Sequence, residues 1–203
     1  RKPTVPTDAR SEFLANRAMG DWAEQRLAEA IVRARPDWKV SQYGDTNRIA
    51  AGHPDFKASY LAGLEVTRKF GKRPDLVIFP SEFSVATDIT SFSYTAAEPL
   101  LREALAAIEV RSSKFEALTY ISMRQQQREA GRAVDRDTPS FTVKVEDLVI
   151  VYRWLARYAV PETYCQVFFD SLYAPSFLDI FSIICSGRGF VLYTPHKSQN
   201  NPT

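Results

Sequence analysis

Apolar residues recur at three- and four-residue steps from about residue 9 to 35: Phe13, Leu14, Met19, Trp22, Ala23, Leu27, Ala30 and Ile31. That spacing marks one face of a helix. Gly20-Asp21 predicts a break, with Asp21 capping a second helix from Trp22 to Arg33. After the turn at Pro36-Asp37, Trp38 to Tyr43 reads as a short strand and Gly44 to Arg48 as a loop. Pro54 to Phe70 places Phe56, Tyr60, Leu61 and Leu64 on one helical stripe, and Gly71 stops it. Asp75 to Phe79 follows, a run without polar alternation, as expected of a central strand covered on both faces.

Pro80 to Thr95 is rich in Ser, Thr and Phe and reads as irregular. Ala96 to Ala106 predicts a helix, Ala107 to Ser112 a second central strand, and Lys114 to Ala130 a helix that turns strongly polar. Arg132 to Thr138 is a charged loop. Ser140 to Val145 alternates as a strand, Glu146 to Ala159 is an amphipathic helix, Glu162 to Asp170 an apolar strand, and Phe177 to Ser186 a last helix. Strands alternating with helices predict the α/β class: a central mixed β-sheet flanked by helices.

The 203 residues, 45% hydrophobic and 25% charged, suit one globular domain over 1–203, with residues 1–8 and 187–203 as peripheral tails. A net charge of +2 says little about partners, so a nucleic-acid ligand would require the positive charge to gather on one face. Cys165 and Cys185 both lie in apolar surroundings and read as buried thiols. With no Cys/His metal spacing, they predict a reduced, intracellular setting. No apolar run reaches the length of a membrane span. Opening on Arg1 rather than Met is compatible with a fragment of a longer protein.

The candidate chemistry sits where the two central strands begin and end. Asp75 opens one strand; Glu109 and Arg111 lie two apart on the other, hence on the same face. Hydrolysis of a phosphodiester calls for an in-line water and for shielding of the developing charge. Mg²⁺ supplies both from oxygen ligands. Asp75 and Glu109 are the candidate carboxylates and the Val110 carbonyl a further ligand. A central-strand glutamate without a partner is costly to bury, although a cap at Asp75 and an ion pair between Glu109 and Arg111 would also satisfy both acids.

The stretches Gly71 to Phe79, Ala107 to Ser113, Ser140 to Leu148 and Tyr164 to Asp170, with the loop from Tyr43 to Gly52, resemble type II restriction endonucleases of the PD-(D/E)xK superfamily, AccI-like in particular. The resemblance covers about residues 20 to 185. It implies a restriction-endonuclease-like core and a sequence-specific, Mg²⁺-dependent enzyme that cuts double-stranded DNA to leave 5′-phosphates. A homodimer would cut both strands of a palindrome. It implies Asp75 and Glu109 as the metal-binding pair.

One departure stands out. The position where the superfamily usually has lysine is Arg111, which cannot give up its proton near neutral pH. Lys144, on the neighbouring strand, is the candidate to fill that role alongside Arg111, and Lys114 a weaker one. The same comparison gives Glu24 a place in the site as an acid from the N-terminal helix. Gln166 is a candidate to orient a phosphate. The polar run Arg124, Gln125, Gln126, Gln127 and Arg128 offers side chains suited to base edges, and Arg132, Arg136, Arg188, His196 and Lys197 suit phosphates. A structure-specific repair nuclease of the same fold and an inactive DNA-binding module are the competing expectations.

Overall fold

The structure is a computed structural model that describes residues 6–45, 56–134 and 145–188, together with Pro139 and Val143. A five-stranded mixed sheet runs β1 (Trp38–Gln42), β2 (Leu76–Pro80), β3 (Ala106–Ser112), β4 (Glu162–Val167), β5 (Leu172–Tyr173), in spatial order β1-β2-β3-β4-β5. All neighbours are antiparallel except β3 and β4. That parallel pair is joined through α4 (Ala117–Glu129) and α5 (Val145–Tyr158), the crossover a parallel connection requires. The remaining helices are α1 (Pro6–Ala34), α2 (Phe56–Phe70), α3 (Tyr94–Leu101) and α6 (Phe177–Ser186).

Alternation along the strands divides two cores. Leu76, Ile78, Ile108, Val110, Cys165 and Val167 face Ala23 and Leu27 of α1. Val77, Phe79 and Ala107 face the other way, packing with Ala97 and Leu101 of α3 and Trp154 of α5. Tyr164 packs on that second side with Leu148, Val151, Phe177 and Ile180 from α5 and α6. The strands lacking polar alternation are therefore covered on both faces, as the pattern predicted.

Several boundaries differ from the sequence reading. α1 runs unbroken through Gly20 and Asp21, so Asp21 caps nothing; it pairs instead with Arg17 one turn earlier. Burial of Ala23 and Leu27 against the sheet outweighs the roughly 1 kcal/mol helix cost of one glycine. α3 begins at Tyr94 because the Ser93 side chain accepts the Ala96 N–H, and it ends at Leu101, five residues short of the expected end. α4 starts at Ala117, where the Asp170 carboxylate accepts the Ala117 and Leu118 N–H groups (2.8 and 2.9 Å); β4 closes at Val167, where the chain turns back into β5 with the Phe168 N–H donating to the Ser171 carbonyl at 2.9 Å. Cys165 is buried as expected, but Cys185 is exposed on α6. The expected strand from Ser140 lies outside the described residues, apart from Val143 and the Val145 that opens α5.

Candidate active site

The β2–β3 ladder ends at the Leu76–Ile108 pair. Beyond it β3 continues through Glu109 to Ser112 beside β4, whereas the chain entering β2 peels away. A cleft of about 580 Å³ opens in that gap. It is lined by Asp75, Glu109, Val110 and Arg111, by Lys72 and Arg73 ahead of β2, and by Glu24 from α1. The sheet end thus brings together four of the expected site residues, Asp75, Glu109, Arg111 and Glu24, with the Val110 backbone.

Asp75 stands where the ladder would have continued. Its Oδ2 accepts the Val110 N–H at 2.7 Å, so a carboxylate replaces a backbone carbonyl as the acceptor. N–H and C=O of one strand residue point the same way, so the Val110 carbonyl also faces this opening. The Asp75 carbonyl accepts the Tyr43 and Gly44 N–H groups (2.9 and 3.2 Å), which holds the end of β1 against the acid. A side chain at Gly44 would sit 3.2 Å from Asp75 Oδ1, so the missing Cβ keeps room beside the carboxylate. Burial first, then the like charge of Glu109, push Asp75 well above the usual carboxylate range, with Lys72 opposing and Glu24 adding to the rise.

Glu109 is 2% exposed. Its Oε1 meets the Lys72 ammonium and, at 3.2 Å, the Arg111 guanidinium; its Oε2 is buried with no hydrogen-bond partner among the described residues. Arg111 in turn reaches the Asp147 Oδ2 of α5 at 3.2 Å. Glu109 and Arg111 share one face, as their spacing predicted, and β4 pairs them with Tyr164 and Gln166. Gln166 is buried and donates to Ser113 Oγ at 2.6 Å; it binds a side chain at the end of β3 rather than lining the cleft.

One further acid lies beneath. Glu162 pairs in register with Ala107, two residues before Glu109, and so faces the same side. It is 3% exposed, neither oxygen has a hydrogen-bond partner among the described residues, and burial followed by repulsion from Glu109 pushes it up to about 9. Its carboxyl is therefore neutral at physiological pH. Nothing in the sequence singled it out, because the flanking apolar run hides a lone acid.

Lys72 was also missed. It lies on no strand, so face parity cannot place it, yet its ammonium reaches Glu109 across 37 residues of sequence. Its proximity to Asp75, in Gly71-Lys72-Arg73-Pro74-Asp75, was the available signal. Lys144 lies outside the described residues. Lys114 donates to Asn16 of α1 at 2.7 Å. Arg124, Gln125, Gln126, Gln127 and Arg128 ride on α4 and do not line the cleft. Arg124 bonds Tyr120 and Gln127, and Gln125 bonds Glu129.

Among the described residues no three His, Cys, Asp or Glu side chains converge into a ready metal cluster. What the cleft offers is a pair of acids, with an unpartnered oxygen on Glu109 and the adjoining Val110 carbonyl. An all-oxygen donor set of this kind suits a hard divalent cation. No helix is long and apolar enough to cross a membrane among the described residues. The family model for the AccI restriction endonuclease matches residues 1–132 and 120–203, and so spans the chain. No curated protein and no solved structure matches it.

Proposed function

The chain belongs to the AccI restriction endonuclease family and is a type II site-specific deoxyribonuclease; from that premise we propose that the cleft beside β3 is its active site. Its five-stranded mixed sheet with flanking helices is consistent with a restriction-endonuclease-like core. In this reading Asp75, Glu109 and the Val110 carbonyl hold Mg²⁺, and Glu24 adds a further acid from α1. The observation that carries it is the buried acid pair: two carboxylates share one cleft, and although Lys72 and Arg111 meet Oε1 of Glu109, its buried Oε2 has no hydrogen-bond partner among the described residues, an acceptor that a bound cation would answer.

When bound, Mg²⁺ supplies positive charge to the phosphate and lowers the pKa of a bound water. The chain's own residues do the rest. The Val110 N–H fixes one oxygen of Asp75. Arg111 is anchored between Glu109 and Asp147, so it holds the Glu109 carboxylate in place as a fixed cation that takes up no proton. Hydrolysis then splits the elements of water, OH to phosphorus and H to the leaving 3′ oxygen, and the product carries a 5′-phosphate. The exposed Gln125 and Gln126 of α4 are the proposed readers of base edges. Two copies related by a two-fold axis would cut the two strands of a palindrome.

A digest of supercoiled plasmid in Mg²⁺ tests the assignment. The native chain gives discrete fragments with ligatable 5′-phosphate ends. Asp75→Asn, which can keep the Val110 bond through its amide oxygen, loses several kcal/mol of transition-state stabilisation and cuts about 10³-fold more slowly or less. Cutting by Asp75→Asn at the native rate would remove Asp75 from the site; nicks or smears from the native chain would favour a structure-specific nuclease instead.

A further inference from the structure

We propose that Lys72 is a catalytic residue of this cleft, its ammonium donating to a non-bridging oxygen of the phosphate to be cut. This rests on the reading of Asp75 and Glu109 as the nuclease site.

The backbone of Lys72 is fixed from two sides. Gly71 ends α2 with a φ of +89°, a conformation side chains rarely adopt, and an added Cβ there would meet the Trp154 nitrogen at 2.3 Å. The Lys72 N–H donates to the Ile150 carbonyl of α5 at 3.0 Å. The side chain therefore starts from a rigid junction of α2 and α5 and crosses to Glu109 on β3. An ammonium has three donors. Among the described residues its hydrogen-bond partner is Glu109 Oε1, and its side chain is 29% exposed in the wall of the cleft. Two donors remain to face whatever enters.

The other cations of the cleft are tied differently. Arg111 turns one nitrogen, Nη2, to both Glu109 and Asp147, which anchors that end of its guanidinium between β3 and α5. Arg73 donates to the Thr90 and Phe92 carbonyls and lies over the Tyr43 and Tyr94 rings at 4.9 and 4.2 Å. Lys114 bonds Asn16. A phosphate arriving in this cleft meets Asp75, Glu109, Glu24 and Asp45, all acids. It needs a positive donor that touches the acid pair and has capacity left, and Lys72 meets both conditions. Its flexible stem lets the ammonium swing to the phosphate without leaving Glu109 far behind. It remains an ammonium throughout, so no proton passes through it.

The test uses the full chain and a duplex carrying the sequence that the native protein cuts. In single-turnover cleavage with Mg²⁺, Lys72→Met is expected to be slower by about 10² to 10³-fold, the usual loss for one aimed donor, with Lys72→Arg recovering part of the rate. A second measurement excludes a merely structural effect. Binding in Ca²⁺ is compared for the normal duplex and one with a neutral methylphosphonate at the scissile position. The native protein should lose about tenfold or more in affinity on that replacement, and Lys72→Met should lose little further. Cleavage by Lys72→Met within threefold of native, or an equal methylphosphonate loss in both proteins, overturns the role of Lys72 alone. Absence of cutting by the native chain, or full cutting by Asp75→Asn, would overturn the underlying site instead.

Discussion

Replacing Glu162 by glutamine should change how stability depends on pH, and by an amount the structure sets. Glu162 is held near pKa 9 against an ordinary value of 4.5. Below about pH 4.5 both the folded and the unfolded chain keep the proton, and the group's contribution is at its full value. Between 4.5 and 9 the unfolded chain releases a proton that the fold retains, so stability falls as pH rises. Each pH unit in that window is worth at most about 1.4 kcal/mol. From pH 5 to 8 the ceiling is therefore about 4 kcal/mol, and relaxation around the acid brings the expectation to about 2–4 kcal/mol.

Glutamine has the same shape and does not ionise, so Glu162→Gln removes the slope while adding at most a constant offset. Urea unfolding of both proteins at pH 5, 6, 7 and 8 in EDTA should show the variant gaining on the native chain at every step. Parallel curves, with a difference that changes by less than about 0.5 kcal/mol across the range, would mean that Glu162 is ionised or partnered in the fold and would refute the reasoning.

Gly71→Ala should lose at least about 3 kcal/mol, since the new methyl meets the Trp154 backbone in a left-handed conformation; a melting temperature close to native would show that α2 and α5 can part cheaply there. Gly20→Ala should have the opposite sign. Nothing lies within 4 Å of its added methyl, and the residue is interior to α1, so chemical denaturation should report a gain of about 0.5–1 kcal/mol. A loss would restore the break that the sequence suggested.

The acids and the sheet were legible because both obey short-range rules. Glu109 and Arg111 share a face by strand parity, and the unalternating run from Leu76 to Phe79 announced a strand buried on both sides. What the sequence could not disclose depends on contacts between distant segments. Lys72 reaches Glu109 from a segment without periodicity, and Glu162 joins the group only through the register of β4 on β3. The break expected at Gly20 failed for a related reason: local propensity spoke for a stop, but the sheet beneath α1 decided otherwise. The cap on α4 came from Asp170, more than forty residues downstream, which no helix-start signal near Ala117 could reveal.

The segment from Gly71 to Asp75 gathers most of these long-range ties into five consecutive residues. Gly71 touches α5, Lys72 reaches β3, Arg73 clasps the loop at Thr90 and Phe92, Pro74 is buried, and Asp75 holds both the end of β1 and the edge of β3. The pentapeptide is thus a junction box through which two helices, two strands and a loop take their positions from one another. Substitutions in it act on more than one element at once, so a change made at one of these five positions is felt at partners far away in the chain.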